Sequence, residues 1–236
     1  MDKEETDDIA LYFRFLDGML SWIYFHAWQK FDSPTVLQSS ILEICNQSLF
    51  VDYLNRTYRL LSYQSGKRVL SKSFSGLFYF DQMLEKNPEA KIIILIRDPI
   101  EAIPSLMSLE ESVQNKMHGK KRMQENREQY LKNLYQLSVF YYSRLEETYR
   151  QYKDHPNFLF IDYSEMKNHF KPVLHKVIRH CGLRETEKLT EAGNRQAKKQ
   201  ESYSSSHLYD PERFGLDKDT IRKDTPFYLE FVKDHS

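Results

Sequence analysis

The residues with the clearest chemistry follow a run of apolar β-branched residues. Residues 90–109 read AKIIILIRDPIEAIPSLMSL, so Arg97 directly follows the run and Ser105 comes eight positions later. A guanidinium stays charged at physiological pH, and its planar fork of donors matches a phosphate. Ser105 lies about two helical turns further on, so its hydroxyl can face the same side. The pair predicts a clamp on a terminal phosphate; the alternative is that Arg97 pairs with Asp98 or another carboxylate at the sheet edge.

Two predicted elements position Arg97. Residues 91–96 are apolar on both faces, which is typical of an interior parallel strand. Asp98 and Pro99 suit the N-cap and first turn of the helix that follows. In open parallel sheets, ligands bind at the carboxyl ends of the strands, where helix N-termini also point. Arg97 is therefore expected at a binding edge.

Hydrophobic spacing divides the rest of the chain into further helices and strands. Helices are predicted within residues 7–63, at 78–88, from Pro99 onward, around 130–149 and at 171–183; strands are predicted at 68–71, 91–96 and 156–163. The remainder reads as charged and irregular, with a flexible basic loop at 195–207. Alternating strands and helices predict an α/β layered fold with a parallel sheet.

The composition of the chain argues against several classes of protein. The 34 basic and 34 acidic residues cancel, so no overall field favours nucleic acid or an anionic membrane. Cys45 and Cys181 are too few for a disulfide framework or a Cys-rich zinc site, which suits a reducing compartment. The acidic start is not typical of a secretory signal, and no window approaches the roughly 18 apolar residues of a membrane span. We expect a soluble, cytoplasmic protein with no nucleic-acid or membrane partner.

No metal site is expected from the histidines of the predicted helix at residues 171–183 and just before it. His169, His175 and His180 do not share one helix face, and no Cys or carboxylate pattern completes a ligand set. Solvated helix histidines explain the pattern.

The whole arrangement resembles the sulfotransferases that use 3′-phosphoadenosine 5′-phosphosulfate (PAPS), especially the broad branch with bacterial and tyrosyl-protein-type enzymes. Four segments carry the resemblance, in the family's order: EETDD at residues 4–8, the strand and RDP region at 69–109, the FIDY region and following helix at 158–183, and SHLYDPERFGLDKDTI at 206–221. The resemblance implies a P-loop-NTPase-like three-layer sandwich with a central parallel sheet flanked by helices. It also implies one domain over residues 1–236, with a helical substrate side at 1–65 and an α/β nucleotide-binding core at 66–236.

The resemblance assigns roles to individual residues. Arg97 and Ser105 would hold the 3′-phosphate, which agrees with the phosphate clamp predicted from their residue types and spacing. Tyr163 would contact the adenine; its alternative is a core aromatic that closes a strand. Lys72 would lie near the sulfuryl group and neutralise charge on the bridging oxygen; its alternative is a solvated lysine.

The segment that closes over the nucleotide in this family corresponds to the basic region near residue 200. Ser206 and His207 are the cofactor-proximal candidates there, and simple disorder of the loop is the alternative.

The sequence departs from the family's pattern in two places. The Gly-Ser-Thr-rich loop that cradles the phosphosulfate does not precede residue 65, so we expect the first strand and this loop to be missing from the chain. The family's KSPxH reads KSFSG at residues 72–76, which leaves the catalytic base unassigned. The candidate replacements are Glu4, Glu5, Asp7, Asp8 and His26.

The leading hypothesis is therefore a protein that transfers a sulfuryl group from PAPS to a hydroxyl or amine, on a small molecule, a peptide or a glycan. One alternative is a truncated or catalytically inactive relative that works as a binding or scaffold protein. Another is a nucleotide-dependent transferase without sulfate chemistry. The sequence leaves the oligomeric state open.

Overall fold

The computed structural model describes residues 18–45, 48–202 and 210–235 of the chain. Helices predominate, and two strands lie between them. The α-helices are α1 (Gly18–Phe25), α2 (Pro34–Cys45), α3 (Ser48–Ser65), α4 (Phe80–Lys86), α5 (Pro99–His118), α6 (Lys120–Tyr152), α7 (Tyr163–Asn168), α8 (Phe170–His180), α9 (Glu187–Ser202), α10 (Lys218–Asp224) and α11 (Phe227–His235). The strands are β1 (Ile92–Ile96) and β2 (Phe158–Asp162), and short 3₁₀ turns occupy Gly76–Phe78 and Pro211–Phe214.

The two strands pair in parallel, which confirms the predicted type of sheet. Their register runs from Ile92 opposite Phe158 to Ile96 opposite Asp162, so both strands end at the same edge. Parallel strands need a long crossover, and α5 and α6 supply it. Ile96 is fully buried, whereas Leu95 is 48% exposed, so β1 is covered on one face more than on the other.

The predicted strand at residues 68–71 is wrong. This segment has no regular secondary structure and follows the left-handed turn at Gly66, whose φ is 62°. Leu70 is 95% exposed, and its neighbours Arg68 and Ser71 are exposed as well. A β-prone segment without buried side chains or a pairing strand gains too little to order as a strand.

The prediction that the chain is irregular after residue 183 is also wrong, because α9, α10 and α11 lie there. Residues 187–202 are rich in strong helix formers, and Thr186 caps the start of α9, where its Oγ1 accepts from the Leu189 N–H at 3.3 Å. The small residues Gly193 and Ala197 are both buried, four positions apart. A Cβ added at Gly193 would lie 2.6 Å from Leu174 Cδ2, so glycine permits close packing of α9 on α8.

Two compact units make up the described fold. The helical unit takes its described residues from Met1–Pro88 and Glu110–Arg144, and the sheet unit from Glu89–Leu109 and Leu145–Ser236. The prediction of a single domain with a boundary at residue 65 stays a prediction.

Each unit has its own apolar core. In the helical unit, Phe50 of α3 packs edge-on against Tyr79 with ring centroids 5.8 Å apart. In the sheet unit, Tyr149 packs against Phe160 of β2 and Phe231 of α11, at 5.1 and 5.4 Å between centroids. Edge-to-face pairs of this kind add to the hydrophobic stabilisation of a core.

Candidate functional site

The carboxyl ends of the two strands bring Arg97 and Tyr163 together. Each residue directly follows its strand, and the last residues of the strands, Ile96 and Asp162, are register partners. The Arg97 guanidinium carbon lies 5.2 Å from the centre of the Tyr163 ring. A cation next to a half-buried aromatic face can receive a phosphate and a flat heterocycle side by side.

Arg97 also has a carboxylate partner. Its Nε and Nη2 donate to Oε2 of Glu101 at 3.3 and 3.0 Å. This is the alternative stated for Arg97 above, with Glu101 as the carboxylate. An exposed i,i+4 pair contributes only about 0.3–0.5 kcal/mol, and the Glu101 side chain is 58% exposed. Glu101 is therefore easily displaced from Arg97 by a ligand phosphate.

Ser105 lies in α5, one turn beyond Glu101. The spacing of four between Arg97, Glu101 and Ser105 places them along one side of the helix start. Ser105 is half-buried, and Pro104 before it is buried inside α5. Proline cannot donate to the carbonyl of Ile100, so this turn lacks one helical hydrogen bond.

Asp98 fixes the start of α5 beside Arg97. Its Oδ1 accepts from the Ile100 N–H at 2.9 Å, which confirms the predicted N-cap. Its Oδ2 accepts from Arg222 Nη2 at 2.6 Å, and the two side chains are about equally shielded, at 26% and 27% exposure. Arg222 therefore ties α10 to the start of α5.

Asp162, at the end of β2, caps the next helix as Asp98 caps α5. Its Oδ1 accepts from the Ser164 N–H at 2.8 Å and caps α7, and the Tyr228 hydroxyl donates to the same oxygen at 3.5 Å. Burial and the charges of Asp162 and Asp98 together raise the pKa of Tyr228 to about 12, against the opposing effect of Arg222. Tyr228 thus stays a neutral donor at physiological pH. The Arg222 guanidinium lies 5.4 Å from the Tyr228 ring centre and joins the two strand ends.

Lys72 lies in the helical unit, in the irregular segment before Gly76–Phe78. Its side chain is exposed, and Nζ lies 4.8 Å from the centre of the Phe74 ring. Among the candidates for the base, His26 is half-buried, and its Nδ1 lies 3.3 Å from Gln29 Nε2. The other candidates for the base (Glu4, Glu5, Asp7 and Asp8) lie outside the described residues, as do Ser206 and His207.

Sequence reasoning missed Glu101, Arg222 and Tyr228 at this edge. Glu101 carried a usable signal, because a carboxylate four residues after an arginine on a helix is a standard pair. Arg222 carried none, since it lies 124 positions from Asp98.

The described ranges contain no group of three or more His, Cys, Asp or Glu side chains placed to hold a metal ion. Of the helices whose residues the structure describes, none combines the length and the apolar character needed to cross a membrane.

Comparisons with known proteins agree with the resemblance. A model of the sulfotransferase family matches residues 21–187, which is more than half of the chain. The crystal structure of sulfotransferase STF9 from Mycobacterium avium aligns with a TM-score of 0.75 at 18% identity, over 96% of this chain and 55% of that one. Sulfotransferase STF1 from Mycobacterium tuberculosis H37Rv aligns with a TM-score of 0.49 at 19% identity, over 83% of this chain and 55% of that one. A search of curated proteins found no match.

The STF9 alignment confirms the predicted P-loop-like α/β fold class. This chain spans about half the length of each of the two solved sulfotransferases. Because the family model matches more than half of the chain, the chain belongs to the sulfotransferase family.

Proposed function

We propose that this chain binds a 3′-phosphoadenosine nucleotide at the carboxyl ends of β1 and β2 and takes part in sulfuryl transfer from PAPS to a hydroxyl or amine. The acceptor would be a small molecule or a group on a peptide or glycan. The observation that carries the proposal is the contact of Arg97 with Tyr163, 5.2 Å from guanidinium carbon to ring centre. The family resemblance gives these two residues the 3′-phosphate and the adenine.

The residues around this contact suit such a ligand. Arg97 would exchange the Glu101 carboxylate for the 3′-phosphate, and the Ser105 hydroxyl would donate to the same phosphate. The Tyr163 ring offers a face on which a purine can stack. Asp98 and Asp162 cap α5 and α7, so the backbone at both strand ends is held in place before the ligand arrives.

When bound, PAPS would supply the sulfuryl group, which is an electrophile that the acceptor oxygen or nitrogen attacks. In this proposal Lys72 steadies negative charge on the bridging oxygen. Ser206 and His207 would contact the nucleotide from the C-terminal segment. For these three residues the support is the family resemblance alone.

A second function, nucleotide binding without transfer, is favoured by one observation. Residues 72–76 read KSFSG, and the histidine expected of the family is absent from this motif. A chain of this kind would bind the nucleotide and act as a binding or scaffold protein.

The decisive experiment is calorimetric titration of the chain with adenosine 3′,5′-bisphosphate and, separately, with adenosine 5′-phosphate. We expect a clear preference for the bisphosphate, because only that ligand carries the 3′-phosphate. Arg97→Ala should weaken bisphosphate binding roughly ten- to a hundredfold, the usual worth of a charge-assisted pair of hydrogen bonds. The preference over adenosine 5′-phosphate should disappear in this variant.

Arg150→Ala is the matched control. Arg150 lies in the same unit and is also paired with a carboxylate four residues away, Glu146, at 2.7 Å. This variant should bind the bisphosphate as the unchanged chain does. Equal binding of both nucleotides, or no effect of Arg97→Ala, would contradict the proposed clamp. Bisphosphate binding without sulfuryl transfer to any hydroxyl or amine would favour the second function.

A further inference from the structure

A second group of polar side chains lies buried in the helical unit. Ser21, Glu110, Gln114 and Tyr130, here called the buried polar cluster, are each at most 2% exposed. The Ser21 hydroxyl, Glu110 Oε2 and Gln114 Oε1 have no hydrogen-bond partner within the part of the chain that the structure describes, and the Gln114 amide lies within hydrogen-bonding reach of the Tyr130 hydroxyl. Most buried polar atoms in native proteins are partnered, so several exceptions in one unit require an explanation.

These side chains come from three helices of the same unit. Glu110 and Gln114 are one turn apart on α5, and Tyr130 belongs to α6. Burial raises the pKa of Tyr24, on α1, and the charge of Glu110 raises it further. Burial and then Glu110 raise the pKa of Tyr130 in the same way. The Glu110 carboxyl therefore interacts with phenols from two other helices.

Aromatic rings border the cluster on one side. The Trp28 indole stacks on the Tyr130 ring with centroids 4.3 Å apart, and Trp28 Nε1 donates to the Tyr24 carbonyl at 3.2 Å. His118 packs edge-on against Trp28 at 6.0 Å. Tyr24 and Trp28 are only half-buried, so the cluster reaches the surface at these two rings.

Among the side chains that the structure describes, no Lys or Arg forms an ion pair with Glu110. The adjacent Glu111 pairs with Arg127, whose Nε lies 2.5 Å from Glu111 Oε1. Burial raises the pKa of Glu110 to about 7. An ionised carboxylate buried without a cation is strongly unfavourable, so a cationic ligand would be stabilised here.

We propose that the buried polar cluster is a binding site for a primary ammonium group. An ammonium has three donors and no acceptor, and the cluster offers three acceptor oxygens: Glu110 Oε2, Gln114 Oε1 and the Tyr130 hydroxyl. The faces of Tyr24 and Trp28 add attraction for a cation. This site uses none of the nucleotide-binding residues.

Ethylammonium chloride is the probe, with sodium chloride at equal ionic strength as its control. The carboxyl carbon of Glu110 is followed by ¹³C NMR between pH 5 and 9, with the signal assigned by its loss in Glu110→Gln. Ethylammonium should shift the midpoint of the Glu110 titration to lower pH. Affinity for ethylammonium should be about tenfold higher at pH 8 than at pH 6, because the ionised fraction of a group with a pKa near 7 rises from about one tenth to nine tenths.

Two variants distinguish the effect of the Glu110 charge from that of the neighbouring carboxylate. Glu110→Gln should weaken ethylammonium binding more than tenfold, whereas Glu111→Gln, which removes the neighbouring carboxylate, should leave binding within about twofold. Titration with N-acetyl-lysine methylamide instead of ethylammonium distinguishes two classes of ligand. Tighter binding of the lysine derivative indicates a longer ligand such as a peptide, and weaker binding indicates a small free amine.

The proposal is overturned if ethylammonium leaves the Glu110 titration unchanged; the cluster then holds water only. If Glu110→Gln does not fold, calorimetric titration of the unchanged chain with ethylammonium at pH 6 and pH 8 decides the question, because the expected tenfold rise in affinity requires no assigned signal. Bisphosphate binding measured on the same sample reports on the nucleotide proposal separately, because the two sites share no residue.

Discussion

At the scale of the residue, Arg97 has two kinds of neighbour with different consequences. The Tyr163 ring is a partner that a nucleotide can share, whereas the Glu101 carboxylate competes with any phosphate for the same donors. The ion pair restricts the Arg97 side chain to one orientation. The paired guanidinium is also less hydrated than a free one. In the proposed site, the ion pair would orient Arg97 and slightly weaken its binding of a phosphate.

Glu101→Gln should strengthen binding of adenosine 3′,5′-bisphosphate by about two- to fivefold. Removing the carboxylate frees Arg97 from a surface ion pair worth about 0.2–1 kcal/mol and removes a negative charge that repels the phosphate. Calorimetric titration measures the change. Glu146→Gln, which breaks the comparable pair with Arg150, is the control and should leave the affinity unchanged. Weaker binding in Glu101→Gln would mean that Glu101 itself contacts the nucleotide.

At the scale of the element, the start of α5 depends on one carboxylate with two functions. Asp98 satisfies an N–H of the first turn through Oδ1 and pairs with Arg222 through Oδ2. The first turn of a helix leaves N–H groups unpaired, so a capping side chain stabilises it directly. The pair with Arg222 adds a long-range contact to this local one.

Two substitutions at Asp98 should separate these contributions. Asp98→Asn keeps a good capping side chain and should lower the free energy of unfolding by about 0.5–1 kcal/mol through loss of the ion pair. Asp98→Ala also loses the cap and should lower it by about 1.5–3 kcal/mol. Urea denaturation of both variants measures the difference.

The control for the Asp98 variants is Asp217→Ala. Asp217 caps α10, where its Oδ1 accepts from the Thr220 N–H at 2.7 Å, and no ion pair accompanies it in the described structure. This variant should lower the free energy of unfolding by about 1 kcal/mol, through loss of the cap. Equal losses in Asp98→Asn and Asp98→Ala would show that the cap contributes nothing to stability.

At the scale of the whole molecule, the buried Glu110 and the half-buried His180 should make stability depend on pH in opposite directions. The pKa of Glu110 is raised by burial to about 7, so its carboxyl holds a proton that the unfolded chain releases near its ordinary value of 4.5. Its contribution is therefore present in full below pH 4.5 and is lost as the pH rises to 7. The pKa of His180 is lowered, chiefly by burial, so its contribution is present above pH 6.5 and is lost on acidification.

Glu110→Gln should remove the first of these dependences. At pH 8 we expect the variant to be more stable than the unchanged chain by up to about 3 kcal/mol, because an uncharged amide replaces a buried carboxylate. At pH 5 the two should have similar stability. Urea denaturation at pH 5, 6, 7 and 8 gives the difference curve, in which the effect of His180 cancels. A constant difference across this range would show that Glu110 ionises normally.

The sequence by itself determined the features that depend on local chemistry. The apolar run predicted β1, the Asp-Pro pair predicted the start of α5, and Cys181-Gly182 predicted the end of α8, where Gly182 has a φ of 56°. These features follow from residues close together in the chain, since caps, turns and hydrophobic periods act over a few positions. The order of the motifs also led to the sulfotransferase family, which the family match shows.

Only the tertiary structure decided which residues meet across the chain. The contact of Arg97 with Tyr163 depends on the pairing of β1 with β2, and the pair of Arg222 with Asp98 joins positions 124 apart. Residues 68–71 have the composition of a strand but pair with no strand in the described part of the chain, whereas the charged residues after 183 form helices that pack through Gly193. Glu110 has an ordinary carboxyl in the sequence, and burial alone, a property of the packed helices, raises its pKa. Such contacts and burial arise from packing between distant segments, which local sequence does not encode.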